Sequence, residues 1–391
     1  MSSSAAPRKD LTTGTWFFVV DLPARGDGRR RQVRRRGFRT KAEAQAALDE
    51  LRVRGRRGTY IVPARQTLER FLVDDWLPAI RATVEPSTHE SYTRYLKVHV
   101  IPRIGAVPIQ QLDASVLNKL YADLLNNGRR DGKPGGLAPR TVRYIHTIVG
   151  RALREAVAWD RLARNVARAA QPPRAAQARG PEMRTWDGAT VARFLDCVRD
   201  DRHCPAWLFL ATTGCRRGEA LGLRWHDVDL DAAKAVLSQS VTAVDHDLRL
   251  APRTKSGKPR PIELDAKTVA ALRVVRVRQA QEKLLLGPAY VDRDLVFARP
   301  DGRPQHPEHF SMAFDRRVAR YRLPRIRLHD LRHTWATLAL SAGVDVKIVS
   351  ERLGHASAKI TWDIYQHVTP TMQANAAETV ARLIFGPPTA G

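Results

Sequence analysis

The chain has 391 residues, 66 Lys and Arg against 40 Asp and Glu, and a formal net charge of +26 at pH 7. So large an excess opposes compaction unless a polyanion neutralises it, which makes nucleic acid the leading partner. Hydrophobic residues make up 43%, enough for real cores in two or three domains, while no run of about 18 apolar residues and no apolar stretch behind Met-Ser-Ser-Ser supports a membrane span or a secretory signal, so the expected location is cytoplasmic, at the nucleoid.

Along the chain, residues 14–60 open with GTWFFVVDLP and RGDGRRRQVRRRGFRT, two strands about a Gly-containing turn. TKAEAQAALDELRVRG then reads as a helix, with Thr40 and Glu43 spaced as a capping box and Ala44, Ala47, Leu48 and Leu51 on one face. Residues 1–60 hold fifteen Lys/Arg against six Asp/Glu, a local net charge of +9. Trp16, Phe17, Phe18 and Phe38 are expected to anchor a sheet whose other face carries the arginines, which suits a DNA groove.

From Thr67 to Ala167 four helix-length segments are broken by Pro and Gly: TLERFLVDDWLPAI, PSTHESYTRYLKVHVIPRIG, DASVLNKLYADLLNNG and APRTVRYIHTIVGRALREAVAWDRLA. AAQPPRAAQARGPE, with no large apolar residue, reads as a linker. The remainder is expected to be helical except for AKAVLSQSV, HDLRLAPRTKSGK and RPIEL, read as three short strands. Cys197, Cys204 and Cys215 have neither disulfide nor metal-ligand spacing and read as reduced core thiols. The expected fold is multidomain and mainly α: a small N-terminal β-sheet plus helix (1–62), a helical domain (63–168), a linker (169–182), and a mixed domain of helices with a small antiparallel sheet (183–391).

Chemistry concentrates in the last domain. Arg216 and Glu219 are three apart at what reads as a helix start, so the carboxylate can hold the guanidinium in one orientation. Arg217 points elsewhere. His329 and Arg332 share a face in LHDLRHTWATLAL, while His333 points about 100° away from Arg332 and is assigned to packing or capping. His355 follows Leu353-Gly354, and Tyr365 comes ten residues later with Thr361 one turn before it. A tyrosine hydroxyl, with an unperturbed pKa of ~10, attacks only where cations stabilise its oxyanion and an anionic transition state. Two arginines, two histidines and a lysine would do so around a phosphodiester. Lys255 and Lys258 both lie in the TKSGK turn, and from the residues alone either is a solvated hairpin lysine. Trp362 reads as packing.

The series TGxRxxE followed by LxW (Thr213, Gly214, Arg216, Glu219, Leu223, Trp225), HxLRHT from His329, and LGH…T…Y resembles the tyrosine recombinase (phage integrase) family over nearly the whole chain. The resemblance implies a site-specific DNA recombinase, an integrase of a phage or integrative element, with an arm-type DNA-binding module, a core-binding domain and a catalytic domain. Its catalytic residues would be Arg216, Lys255, His329, Arg332, His355 and Tyr365, supported by Glu219. Tyr365 would form a 3′-phosphotyrosyl link, and Lys255 would protonate the leaving 5′ oxygen. No cofactor and no metal are expected, because the ester stores the energy of the broken bond and the sequence has no GxxxxGK[ST]. Implied partners are double-stranded DNA attachment sites, a tetramer of this chain in synapsis, and an excisionase or DNA-bending factor. The tail TPTMQANAAETVARLIFG would dock on a neighbouring protomer. Two other classes use part of this equipment: a type IB topoisomerase, and a non-catalytic architectural DNA-binding protein. The complete residue set argues against the latter, and the basic N-terminal module against the former.

Overall fold

The computed structural model describes residues 6–22, 31–56, 65–178, 183–244, 247–251 and 259–354, together with 357, 359, 361, 362, 384 and 386. The chain divides into two units, Met1–Gly180 and Pro181–Gly391. At the N-terminus β1 (Arg8–Lys9), β2 (Trp16–Leu22) and β3 (Arg31–Phe38) form an antiparallel sheet in that order, followed by α1 (Lys41–Arg56). Alternation along β2 turns Phe18 and Val20 onto Ala44, Leu48 and Leu51 of α1. The capping box forms: Thr40 Oγ1 accepts the Glu43 N–H at 3.1 Å, and the Glu43 carboxylate accepts the Thr40 N–H at 3.4 Å. Phe17 differs from expectation. It is absent from that core, and the Arg34 guanidinium lies 5.0 Å over its ring. Strand β1 was not foreseen, and the turn at 23–30 lies outside the described residues.

The helical module comprises α2 (Leu68–Arg70), α3 (Leu77–Ile80), α4 (Pro86–Tyr95), α5 (Ile101–Ile104), α6 (Ala114–Asn127) and α7 (Pro139–Ala158). Between α2 and α3, and between α4 and α5, run π-helical stretches, Phe71–Trp76 and Leu96–Val100. The wider turn brings Phe71 and Trp76, five apart, to the same buried side. Thr67 and Asp113 cap α2 and α6 by accepting the Arg70 and Val116 N–H groups. Pro86 and Pro139 open α4 and α7, where a missing N–H costs nothing. Val142, Ile145, Val149, Ala152, Leu153 and Ala156 line one face of α7 and join Trp76 and Tyr121 in the core. Each such large side chain contributes about 1.5–3 kcal/mol by leaving water. The Trp76 indole N–H is satisfied by Glu155 at 3.0 Å.

The second unit contains α8 (Gly188–Cys197), α9 (Cys204–Thr213), α10 (Arg217–Gly222), β4 (Val228–Asp229), β5 (Lys234–Leu237), β6 (Ser240–Val244), β7 (Asp247–Ala251), β8 (Arg260–Glu263), α11 (Ala266–Leu286), α12 (Pro307–Arg320), α13 (Asp330–Ser341) and α14 (Val346–Leu353). AKAVLSQSV is not one strand. It breaks at Ser238-Gln239 into β5, which pairs with β4 and β8, and β6, which pairs with β7. The buried amide of Gln239 donates to the Gly222 carbonyl at 2.6 Å, so this polar residue ties the break to the end of α10. Phe194, Trp207, Phe209 and Phe314 centre the main core. A smaller cluster, Ala336, Leu340, Val349 and Leu353, fixes α14 against α13.

Candidate active site

Gly214 ends α9 in the left-handed conformation, φ +65°, and sends the chain into Arg216, which stands as the N-cap of α10. The Arg216 backbone N–H donates to Glu219 Oε2 at 2.9 Å, and its guanidinium Nη1 donates to Glu219 Oε1 at 2.8 Å. The carboxylate thus holds both ends of the arginine. Glu219 is only 1% exposed, and a second guanidinium satisfies it from the other side: Arg260 Nη1 and Nη2 donate to Oε1 and Oε2 at 3.1 and 2.6 Å. Burial alone would raise the Glu219 carboxyl, but the hydrogen bonds and charges of Arg260 and Arg216 outweigh it and hold it below the ordinary range.

Arg332 lies in the first turn of α13 and is 4% exposed. Its Nη1 donates to the Gly214 carbonyl at 2.9 Å and its Nη2 to the Leu353 carbonyl at 2.6 Å. Burial first, then the charge of Arg216, pushes it down to about 10, so it stays protonated at neutral pH. Arg216 and Arg260 share the Glu219 carboxylate, Arg332 lies within reach of its charge, and three positive charges less one leave this cluster two in positive excess. The adjacent Cys215 does not help to balance it, because burial and the Glu219 charge push its thiol up to about 12.

The end of α14 receives all three guanidiniums. Arg352 O accepts from Arg260 Nε at 2.9 Å, Leu353 O from Arg332 Nη2, and Gly354 O from Arg216 Nη2 at 3.1 Å. These three successive carbonyls belong to the last turn and cap of the helix, where carbonyls lack helical partners and the dipole is negative, so cations suit them. Gly354 is left-handed, φ +65°, and a Cβ there would come within 3.0 Å of Arg260 Nη1.

His329 is the N-cap of α13, and its ring stands edge-on to His333 at 5.2 Å between centroids. His329 is exposed as a residue, yet the surrounding protein, then His333 and Arg332, push it down to about 4, so it is neutral at pH 7 and able to accept a proton. Arg217 turns away, as expected, to donate to Ser311 Oγ at 2.6 Å.

The structure therefore brings together Arg216, Glu219 and Arg332, with His329 at the N-cap position of the helix that carries Arg332. Lys255, Lys258, His355, Tyr365 and the tail after Thr369, apart from Ile384 and Gly386, fall outside the described residues. Trp362 is half exposed, against its expected packing role, while Thr361 beside it is buried. Arg260 is the residue that sequence reasoning missed. The one available signal was alternation in RPIEL, which puts Arg260 on the same inward face as Ile262.

Against known proteins, the profile of the Phage integrase family matches residues 192–372, that of an Arm DNA-binding domain residues 7–54, and that of the Phage integrase N-terminal SAM-like domain residues 67–125. The chain belongs to the phage integrase family. As a tyrosine recombinase it is a site-specific enzyme that breaks and rejoins DNA strands. It is 24% identical to a "Tyrosine recombinase XerC-like" protein of Caldanaerobacter subterraneus subsp. tengcongensis, over 96% of this chain and 98% of the relative. It is 27% identical to an integrase of Streptomyces ambofaciens over 92% of each. Among solved structures, the Tn1549 transposon integrase in complex with transposon right end DNA superposes with a TM-score of 0.63, at 21% identity, over 81% of this chain and 99% of that one. A lambda integrase tetramer bound to a Holliday junction superposes at 0.56, with 15% identity, over 92% and 94%.

Proposed function

We propose that this recombinase integrates a mobile element by attack of the Tyr365 hydroxyl on a DNA phosphodiester. A P–O bond to tyrosine forms, the P–O5′ bond breaks, and a 3′-phosphotyrosyl link and a 5′-hydroxyl result. Lys255 gives the departing 5′ oxygen its proton, and neutral His329 assists removal of the tyrosine proton. Arg216, Arg332 and His355 stabilise charge on the nonbridging oxygens. A partner strand's 5′-hydroxyl then reverses the step without ATP. The observation that carries this reading is the excess of two positive charges around Glu219, with Arg216 and Arg332 fixed on adjacent carbonyls of one turn. Such a seat is preorganised for a phosphate.

The basic N-terminal module (1–62) contacts accessory DNA sites, and the helical module (63–168) and catalytic unit (183–391), tethered by 169–182, each bind DNA at the crossover site. Four protomers on two duplexes exchange strands through a Holliday junction, and an excisionase or DNA-bending factor sets direction. These events place the protein on the nucleoid. The test is a duplex carrying the element's own end sequence, nicked beside the cleavage point so that the cleaved strand diffuses away. Wild-type protein should accumulate a covalent adduct, while Tyr365→Phe should form none and bind the duplex nearly as well, because one hydroxyl adds little to a wide phosphate interface. An adduct persisting in Tyr365→Phe would put the nucleophile elsewhere. No adduct from the wild type would favour an architectural binder, and relaxation of supercoils without paired sites would favour a topoisomerase.

A further inference from the structure

We propose that Arg260 is a positioning residue for cleavage, holding Arg216 and the last turn of α14 in the arrangement that receives the scissile phosphate; this rests on the strand-cleavage reading above. Arg260 is 8% exposed, so it is shielded from the substrate and acts through what it holds. All three of its nitrogens are committed: Nε to the Arg352 carbonyl, Nη1 and Nη2 to the two oxygens of Glu219. Each Glu219 oxygen also serves Arg216, Oε2 through the backbone N–H and Oε1 through Nη1. A shift of Arg260 therefore rotates the carboxylate and carries Arg216 with it. Its third bond holds the carbonyl just before those that seat Arg332 and Arg216. Arg260 also opens β8, directly after the segment that contains Lys255. One planar fork thus joins the strand after that segment, the N-cap of α10 and the C-terminus of α14.

A lysine at this position would keep the charge but make one of the three bonds. A buried ion pair can also be a purely structural device, and removing one partner leaves an unpaired buried charge, so the test must separate folding from positioning. Full-length wild type, Arg260→Lys, Arg260→Met and the double variant Glu219→Gln/Arg260→Met are compared on the nicked duplex. Single-turnover adduct formation at saturating protein, Kd for the duplex and Tm are measured. Arg260→Met should cleave about 100-fold more slowly, the effect of a misplaced reacting group, with Kd changed less than about threefold because the protein grips phosphates mostly elsewhere. Arg260→Lys should recover about tenfold of that loss, since it retains the charge and one hydrogen bond. The double variant, in which the buried carboxylate goes together with its buried partner and the cluster keeps its excess of two positive charges, should regain Tm but, with Arg216 no longer held, stay at least as slow as Arg260→Met. Should Arg260→Met fail to fold, the double variant and Arg260→Lys decide the matter. Cleavage that returns together with Tm in the double variant, or wild-type rates in Arg260→Lys, would overturn the assignment. A wild-type chain that forms no adduct would overturn the strand-cleavage reading itself, and this inference with it.

Discussion

Gly214 occupies a position where backbone conformation and packing both demand the absence of a side chain. Its φ is +65°, and a Cβ would lie 2.7 Å from the Trp335 ring. Its carbonyl also seats Arg332. Gly214→Ala should therefore cost about 1–3 kcal/mol for overpacking and about 1 kcal/mol more for the left-handed turn, read as a lower urea midpoint, and cleavage should fall further than that loss alone explains. Gly188→Ala, where nothing lies within 4 Å, is the matched control and should be neutral or slightly stabilising. For the proton donor, Lys255→Ala should slow cleavage severely on ordinary DNA and much less when the 5′ bridging oxygen is sulfur, because a thiolate leaves without being protonated. Sulfur rescue of Lys258→Ala instead would move the role to the other lysine of that segment. What sequence revealed at this scale was local. Arg216 with Glu219 sits three residues apart, within one helical turn. Arg260 is 41 residues from Glu219, so only the fold could pair them.

At the scale of elements, legibility followed the strength of local signals. The capping box at Thr40 and Glu43 and the buried stripe of α7 were written in side-chain spacing. The break in AKAVLSQSV was not, because Ser238 and Gln239 continue a strand pattern and are diverted only by bonds to distant elements: Asp227, which accepts from Ser238, and the end of α10. The two π-helical stretches were equally silent, since one extra residue in a turn leaves apolar composition unchanged. The N-terminal sheet shows Arg34 over Phe17 on the side away from the Phe18 core, a cationic surface suited to phosphate. Removing residues 1–62 should abolish binding to accessory sites and flatten the salt dependence of total affinity, while cleavage of a preformed core site survives. Every phosphate that the shortened chain no longer neutralises should make the slope of log K against log salt shallower by about 0.9. Equal slopes for the full and shortened chains would show that the segment touches no DNA.

For the molecule as a whole, charge and imidazoles held neutral in the fold set how stability responds to pH. His99, His146, His329 and His333 are all held below the ordinary histidine range, chiefly by burial, His329 down to about 4. An unfolded imidazole takes its proton near pH ~6.5, whereas these remain neutral in the folded chain, so the unfolded state binds more protons below that point. Stability therefore rises with pH across the window from about 4 to about 6.5 and is fully present above it. Carboxylates held low by their partners, such as Glu219 and Asp330, add their own loss only as the pH approaches ~4. Tm should thus fall between pH 7.5 and pH 5 at fixed salt, and His329→Gln should remove part of that slope. A phosphate seated beside Arg216 and Arg332 would bring negative charge near His329 and favour its protonated form, so a saturating cognate duplex should shrink the fall in Tm. A slope unchanged by both the duplex and His329→Gln would assign it to the other three histidines and place the bound phosphate away from this imidazole.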